Sequence, residues 1–213
     1  MLKFFSHLFL LFCSVAYADN TSQKPYDWQK YLPKKQSNTQ YGLVNYDQQR
    51  HESLTIHCSA ILNGTTVTKQ LTVNGSLDAN AVNLNELYVN GDVKAVNSIL
   101  NSAEINGKTH FINSQIAKKL TVNGLLIAEG SHFASDIIVS SSKIVLSSSH
   151  IQNIIVNAIN NCDNDSEEQV IHLKNNTHLY GKIVFNCAKG KVLIDASSIV
   201  DDKQIKGAVI IRN

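Results

Sequence analysis

Residues 71–91 read LTVNGSLDANAVNLNELYVNG, and the phrase that opens this stretch also closes it: Leu71-Thr72-Val73-Asn74-Gly75 returns as Leu87-Tyr88-Val89-Asn90-Gly91. An equal step leads on to Ala103-Glu104-Ile105-Asn106-Gly107, and a step longer by one position leads to Leu120-Thr121-Val122-Asn123-Gly124. Further steps of that longer kind reach Ile137-Ile138-Val139, Ile154-Ile155-Val156 and Ile171-His172-Leu173, and one step back reaches Leu54-Thr55-Ile56. Eight phased segments from 54 to 173 are an internal repeat, and a repeat of this length implies units that cannot bury their apolar side chains alone.

Inside one unit, residues 71–86, three short runs alternate apolar with polar. Leu71 and Val73 flank Thr72; Leu77 and Ala79 alternate with Ser76, Asp78 and Asn80; Val82 and Leu84 alternate with Asn83 and Asn85. Period-2 alternation over so few residues predicts strands, and Asn74-Gly75 between the first two is a turn pair that tolerates positive φ. Chain reversals every few residues would give a meander, whereas a fixed period with three apolar stripes predicts a coil of triangular section, each face pairing in parallel with the same face one winding away. The predicted fold is therefore an all-β, right-handed parallel β-helix (a β-solenoid) with three short strands per turn of 16–17 residues. The left-handed form is the alternative, but its hexapeptide geometry favours turns built from multiples of six, which this period is not. The corner residues Asn74, Gly75, Asn90, Gly91, Asn106, Gly107, Asn123 and Gly124 fall in one column, and the asparagines of that column are expected to stack as an amide ladder.

The repeat sits between two less regular regions. Residues 1–18, MLKFFSHLFLLFCSVAYA, have Lys3, an apolar run and the small-x-small end Ala16-Tyr17-Ala18, which predicts a cleaved export signal and a secreted or periplasmic chain. No later apolar stretch is long enough to predict a membrane span in the mature chain. Residues 19–52 are polar, hold both prolines, Trp28 and several tyrosines, and read as a leader with an N-terminal cap or as an aromatic docking arm. The β-helix is expected over 53–213, regular to about 157 and with longer corners after it. An oxidising compartment suits disulfides, and Cys162 with Cys187 bracket the acidic stretch CDNDSEEQ, so these two are expected to pair. Cys58 is then left over and is read as a small inward-facing side chain.

The chemistry of the chain narrows its function. A net charge of +2 and only two arginines, Arg50 and Arg212, give no footprint for nucleic acid. The carboxylates Asp78, Asp92, Glu104 and Glu129 do not share a repeat position, and the eight histidines form no H-x-x-x-H or H-E-x-x-H pattern. His172 and His178 are near enough in sequence to meet across a strand and turn. With no C-x-x-C, no G-x-S-x-G and no P-loop, neither a metal, a cofactor nor a catalytic set is expected. The acidic stretch reads as a solvated loop, with a weak Ca²⁺ site as the alternative.

Gly75-Ser76-Leu77-Asp78-Ala79 and Gly91-Asp92-Val93-Lys94-Ala95 resemble the glycine-led steps of the bactofilin, or polymer-forming β-helix, family. The resemblance implies a nucleotide-free right-handed β-helix that assembles end to end, and the export signal and cysteines set this chain apart from that largely cytoplasmic family. The expected function is thus an exported, non-enzymatic structural or interaction protein, a scaffold that self-associates or acts as a surface adhesin on a cell-surface or glycan partner. A carbohydrate-binding module or a polysaccharide-active enzyme on the same fold is the alternative. The end GAVIIRN finishes on a strand and offers a pairing edge.

Overall fold

The computed structural model describes residues 38–159, 168–187 and 190–213. The expected export signal, Trp28, Cys162 and most of the acidic stretch lie outside the described residues. Within them the chain forms 22 strands and a single 3-10 turn, Asp202–Gln204. All strand pairs are parallel and fall into one sheet of 12 strands and one of 10. This is a β-solenoid, and the ten-stranded sheet contributes one strand to each of ten windings.

One winding shows how the sequence sets the geometry. Thr66–Asn74 carries the first face, Leu77–Asn80 the second, and Asn83–Val89 begins on the third face and bends onto the first face of the next winding. In this winding the third and first faces are therefore one bent strand rather than the two separate strands expected, whereas Gln115–Ile116 and Leu120–Asn123 are separate strands. The bend shows as a register irregularity between Val67 and Gln70. Two residues there cross the corner without leaving the extended conformation, so no turn residue marks the place.

The register is the one that the repeat predicts. On the first face Leu54, Leu71, Leu87, Ala103, Leu120, Ile137 and Ile154 stand in line. On the second face Leu62, Ala79, Ala95, Phe111, Ala128 and Leu146 do the same. These residues, with Val67, Leu84, Leu100, Ile116 and Phe133 of the third face, form one continuous buried core. Alternating side chains put one set inside and leave every backbone amide to pair with the windings above and below. Side-chain volume is balanced along a column: Phe111 lies between Ala95 and Ala128 and meets Phe133 edge-on at 6.1 Å.

Three expectations are corrected. Ile171–Leu173 does not continue the first face; it lies on the second, between Ile144–Leu146 and Val192–Ile194. The first face resumes instead at Ile183–Phe185, paired with Ile154–Val156. The winding from Ile144 to its partner Ile171 is much longer than the repeat unit, so an ordinary step on from Ile154 lands on the wrong side of the triangle. The coil also begins earlier than residue 53. Thr39–Tyr41 pairs with Thr55–His57, and Val44–Asp47 pairs with Ala60–Asn63. Only Val44 and Tyr46 of that first winding reach the core, and both stay partly exposed, which is why the apolar pattern is faint there. The third correction, at Cys58, belongs to the corners.

Candidate functional site

The Asn-Gly corner is the predicted amide ladder. Asn90 Nδ2 donates to Asn74 Oδ1 (2.9 Å), Asn106 to Asn90 (2.8 Å) and Asn123 to Asn106 (2.7 Å). His57 extends the column below Asn74 at 3.2 Å, Ser140 stands in register above Asn123, and Asn186 donates to Asn157 at 2.7 Å further on. Each side-chain amide on this run is spent on its neighbour, so the column is a structural seam. The glycine beside it is required twice over. Gly91 has φ 150°, and a Cβ there would run into the carbonyl oxygen of Gly75. Gly107 and Gly124 repeat the contact with the winding below.

Cys58 occupies this glycine position, one winding before Gly75, with φ 117°. It is half-buried at the corner rather than facing the core, and it is not a free thiol. Cys187 follows Asn186 as Gly75 follows Asn74, and it is not free either. Cys162, its expected partner, is outside the described residues.

A second corner carries a ladder that the sequence reading missed. The backbone N–H groups of Val82, Ser98, Ser114 and Ser131 donate to the hydroxyls of Ser98, Ser114, Ser131 and Ser149, each one winding on, at 3.1–3.3 Å. Each hydroxyl donates in turn to the carbonyl two residues before it, as Ser114 does to Ile112 O at 2.9 Å. The serines are buried, and the hydroxyl replaces a backbone bond that the turn cannot make. Its signal was present: Asn97-Ser98, Asn113-Ser114, Gly130-Ser131 and Ser148-Ser149 place a residue with φ of 48–58° before each serine.

The outer surface holds the remaining candidates. The four scattered carboxylates are not brought together: Asp78 and Glu129 lie on different windings of the second face, Glu104 is on the first, and Asp92 sits at a corner where it accepts the Lys108 N–H at 2.9 Å. His172 does not meet His178; its Nε2 lies 3.0 Å from Asp195 Oδ1. His178 belongs to a row on the third face, where His132, His150 and His178 occupy the same position on three successive windings. Tyr180 stacks on this row, with its hydroxyl 2.9 Å from His150 Nδ1. Among the described residues no group of three or more His, Cys, Asp or Glu converges as a metal centre, and no helix is long and apolar enough to cross a membrane. An open groove on the second face is lined by residues including Ile61, Asp78, Lys94, Lys108 and His110. Burial in the first winding raises the Tyr46 phenol above its ordinary titration range.

The exterior changes along the coil. Outward positions of the first face are Thr55, Thr72, Tyr88, Glu104 and Thr121 in the earlier windings and Ile138, Ile155 and Val184 in the later ones. On the second face Asp78, Lys94 and His110 are followed by Ile127, Val145, His172 and Leu193. The last strand of that sheet, Ala208–Arg212, leaves Val209 63% and Ile211 37% exposed.

Compared with family models, with curated proteins and with solved structures, the chain matches none.

Proposed function

We propose that the chain is an exported, non-enzymatic scaffold that associates with further copies of itself through the end of its solenoid. The observation that carries this reading is the Ala208–Arg212 strand. Among the described residues it is the outermost strand of the ten-stranded sheet, paired on one side to Gly190–Ile194. Alternate N–H and C=O groups of such a strand point away from the sheet and seek a partner strand. Val209 and Ile211 add exposed apolar surface beside them. Arg212 folds back to Asp202 at 2.6 Å and to Val200 O at 2.8 Å, which fixes the strand's end against the 3-10 turn and holds the edge in place. The apolar N-terminal run ending in Ala16-Tyr17-Ala18 supports export. The likeness to polymer-forming β-helices supports assembly at the level of the fold.

The groove beside Asp78, Lys94 and His110 supports a second reading, a binding module for a polar ligand such as a glycan. The two separate by experiment. Light scattering across a concentration series is expected to show oligomers of the wild-type chain, and Val209→Lys with Ile211→Lys is expected to reduce them to monomer, because charge on an edge strand opposes pairing. A wild-type chain that stays monomeric at its highest soluble concentration overturns self-association, and saturable glycan binding by that monomer would favour the module.

A further inference from the structure

We propose that His132 and His150 form a surface chelate for a divalent transition-metal ion, with Tyr180 as the residue that positions His150. Parallel ladders hold equivalent side chains of neighbouring strands about 4.8 Å apart, close enough for two imidazoles to share one ion. The His132 and His150 rings are 6.1 Å apart centre to centre and perpendicular. A metal–nitrogen bond of about 2.0–2.1 Å places the ion roughly 3.2 Å from each ring centre, so two ligated rings stand about 4.5–6.4 Å apart. The observed spacing falls inside that interval without any shift of the backbone.

The surroundings favour ligation. Tyr180 lies parallel to His150, with its hydroxyl 2.9 Å from Nδ1. The tautomer that donates Nδ1–H to this hydroxyl leaves the Nε2 lone pair free, and such a bond to the second ring nitrogen is the usual support of a metal-bound histidine. His178 also lies 6.1 Å from His150, but its ring is packed against Tyr180 with centres 4.0 Å apart, which leaves His132 as the partner of His150. Since, among the described residues, no third protein group converges with the pair, water completes the coordination and the ion stays exchangeable. Imidazole donors suit Zn²⁺, Cu²⁺ and Ni²⁺ rather than Ca²⁺ or Mg²⁺. The site escapes any short motif because its ligands are a full winding apart in sequence and meet only through the coil.

Calorimetric titration of the purified protein with Zn²⁺ tests this. One saturable site is expected. His132→Ala and His150→Ala should each weaken it more than about tenfold, and Tyr180→Phe by about tenfold, while His178→Ala and the second-face control His110→Ala leave it within about threefold. All five positions are at least partly exposed, so the variants keep the fold, which circular dichroism checks. No saturable uptake, uptake unchanged in His150→Ala, or uptake lost in His178→Ala and kept in His132→Ala would overturn the assignment.

Discussion

At the second corner the chain repeatedly adopts a left-handed backbone: Gln48, Gly64, Ala81, Asn97, Asn113, Gly130 and Ser148 have φ between 48° and 58°. Glycine and asparagine enter this region easily, whereas alanine meets its own carbonyl at a cost of about 1–2 kcal/mol. Ala81, at φ 51°, is thus a strained member of its column, as are Gln48 and Ser148. Ala81→Asn, which restores the residue found at positions 97 and 113, is expected to raise stability by roughly 0.5–1 kcal/mol in urea unfolding, since it relieves strain without the chain entropy that glycine adds. Residue-level signals differ in how far they can be read. Asn74-Gly75 is a turn on chemistry alone, and its recurrence gave both the corner and the amide ladder. The serine ladder was hidden because Ser98 or Ser114 is equally at home on a surface turn, and only stacking turns the hydroxyl into the acceptor for the N–H of the winding before. Cys58 was misplaced for a related reason: a small apolar residue suggests a core, yet the position it inherits from the repeat is that of the corner glycine.

Strands were legible wherever alternation was strict and the period held. The inward residues Leu77 and Ala79, and after them Val93 and Ala95, could be read from the alternation alone. Legibility failed where a corner grew. Ile171-His172-Leu173 alternates as well as any first-face strand, and nothing within the triplet says that it faces a different side; only the lengthened winding from Ile144 decides it. The first winding failed in the opposite way, through too few apolar residues. Core volume is an element-scale property too, because a ring in one strand needs small residues in the strands on either side. Phe111 fills the space that Ala95 and Ala128 leave and bears on Phe133. Phe111→Ala would put four alanines in line, at positions 79, 95, 111 and 128, and open a cavity that flanking strands, held by their ladders, cannot close. A loss of about 3–5 kcal/mol is expected, read from the denaturant midpoint at unchanged slope.

At the scale of the whole molecule, stability and function share one cause. A regular winding brings only a handful of apolar side chains inward, so each depends on the two beside it, and among the described residues the last is paired on one side. The corners and the core were readable from the period. The rows on the outer surface were not, because His132 and His150, or Ile138 and Ile155, become neighbours only once the winding length is fixed at each step. Everything proposed for those surfaces requires that equivalent residues lie directly above one another. Spin labels carried by unnatural amino acids at Thr55 paired in turn with positions 104, 138 and 184 measure this in solution, since registers place these three, five and seven windings from Thr55. Dipolar spectroscopy is expected to return distances that rise linearly, by about 4.8 Å per winding, to roughly 14, 24 and 34 Å. Distances that do not grow in proportion to the number of windings would contradict the stacked coil, and with it the self-association and the metal chelate.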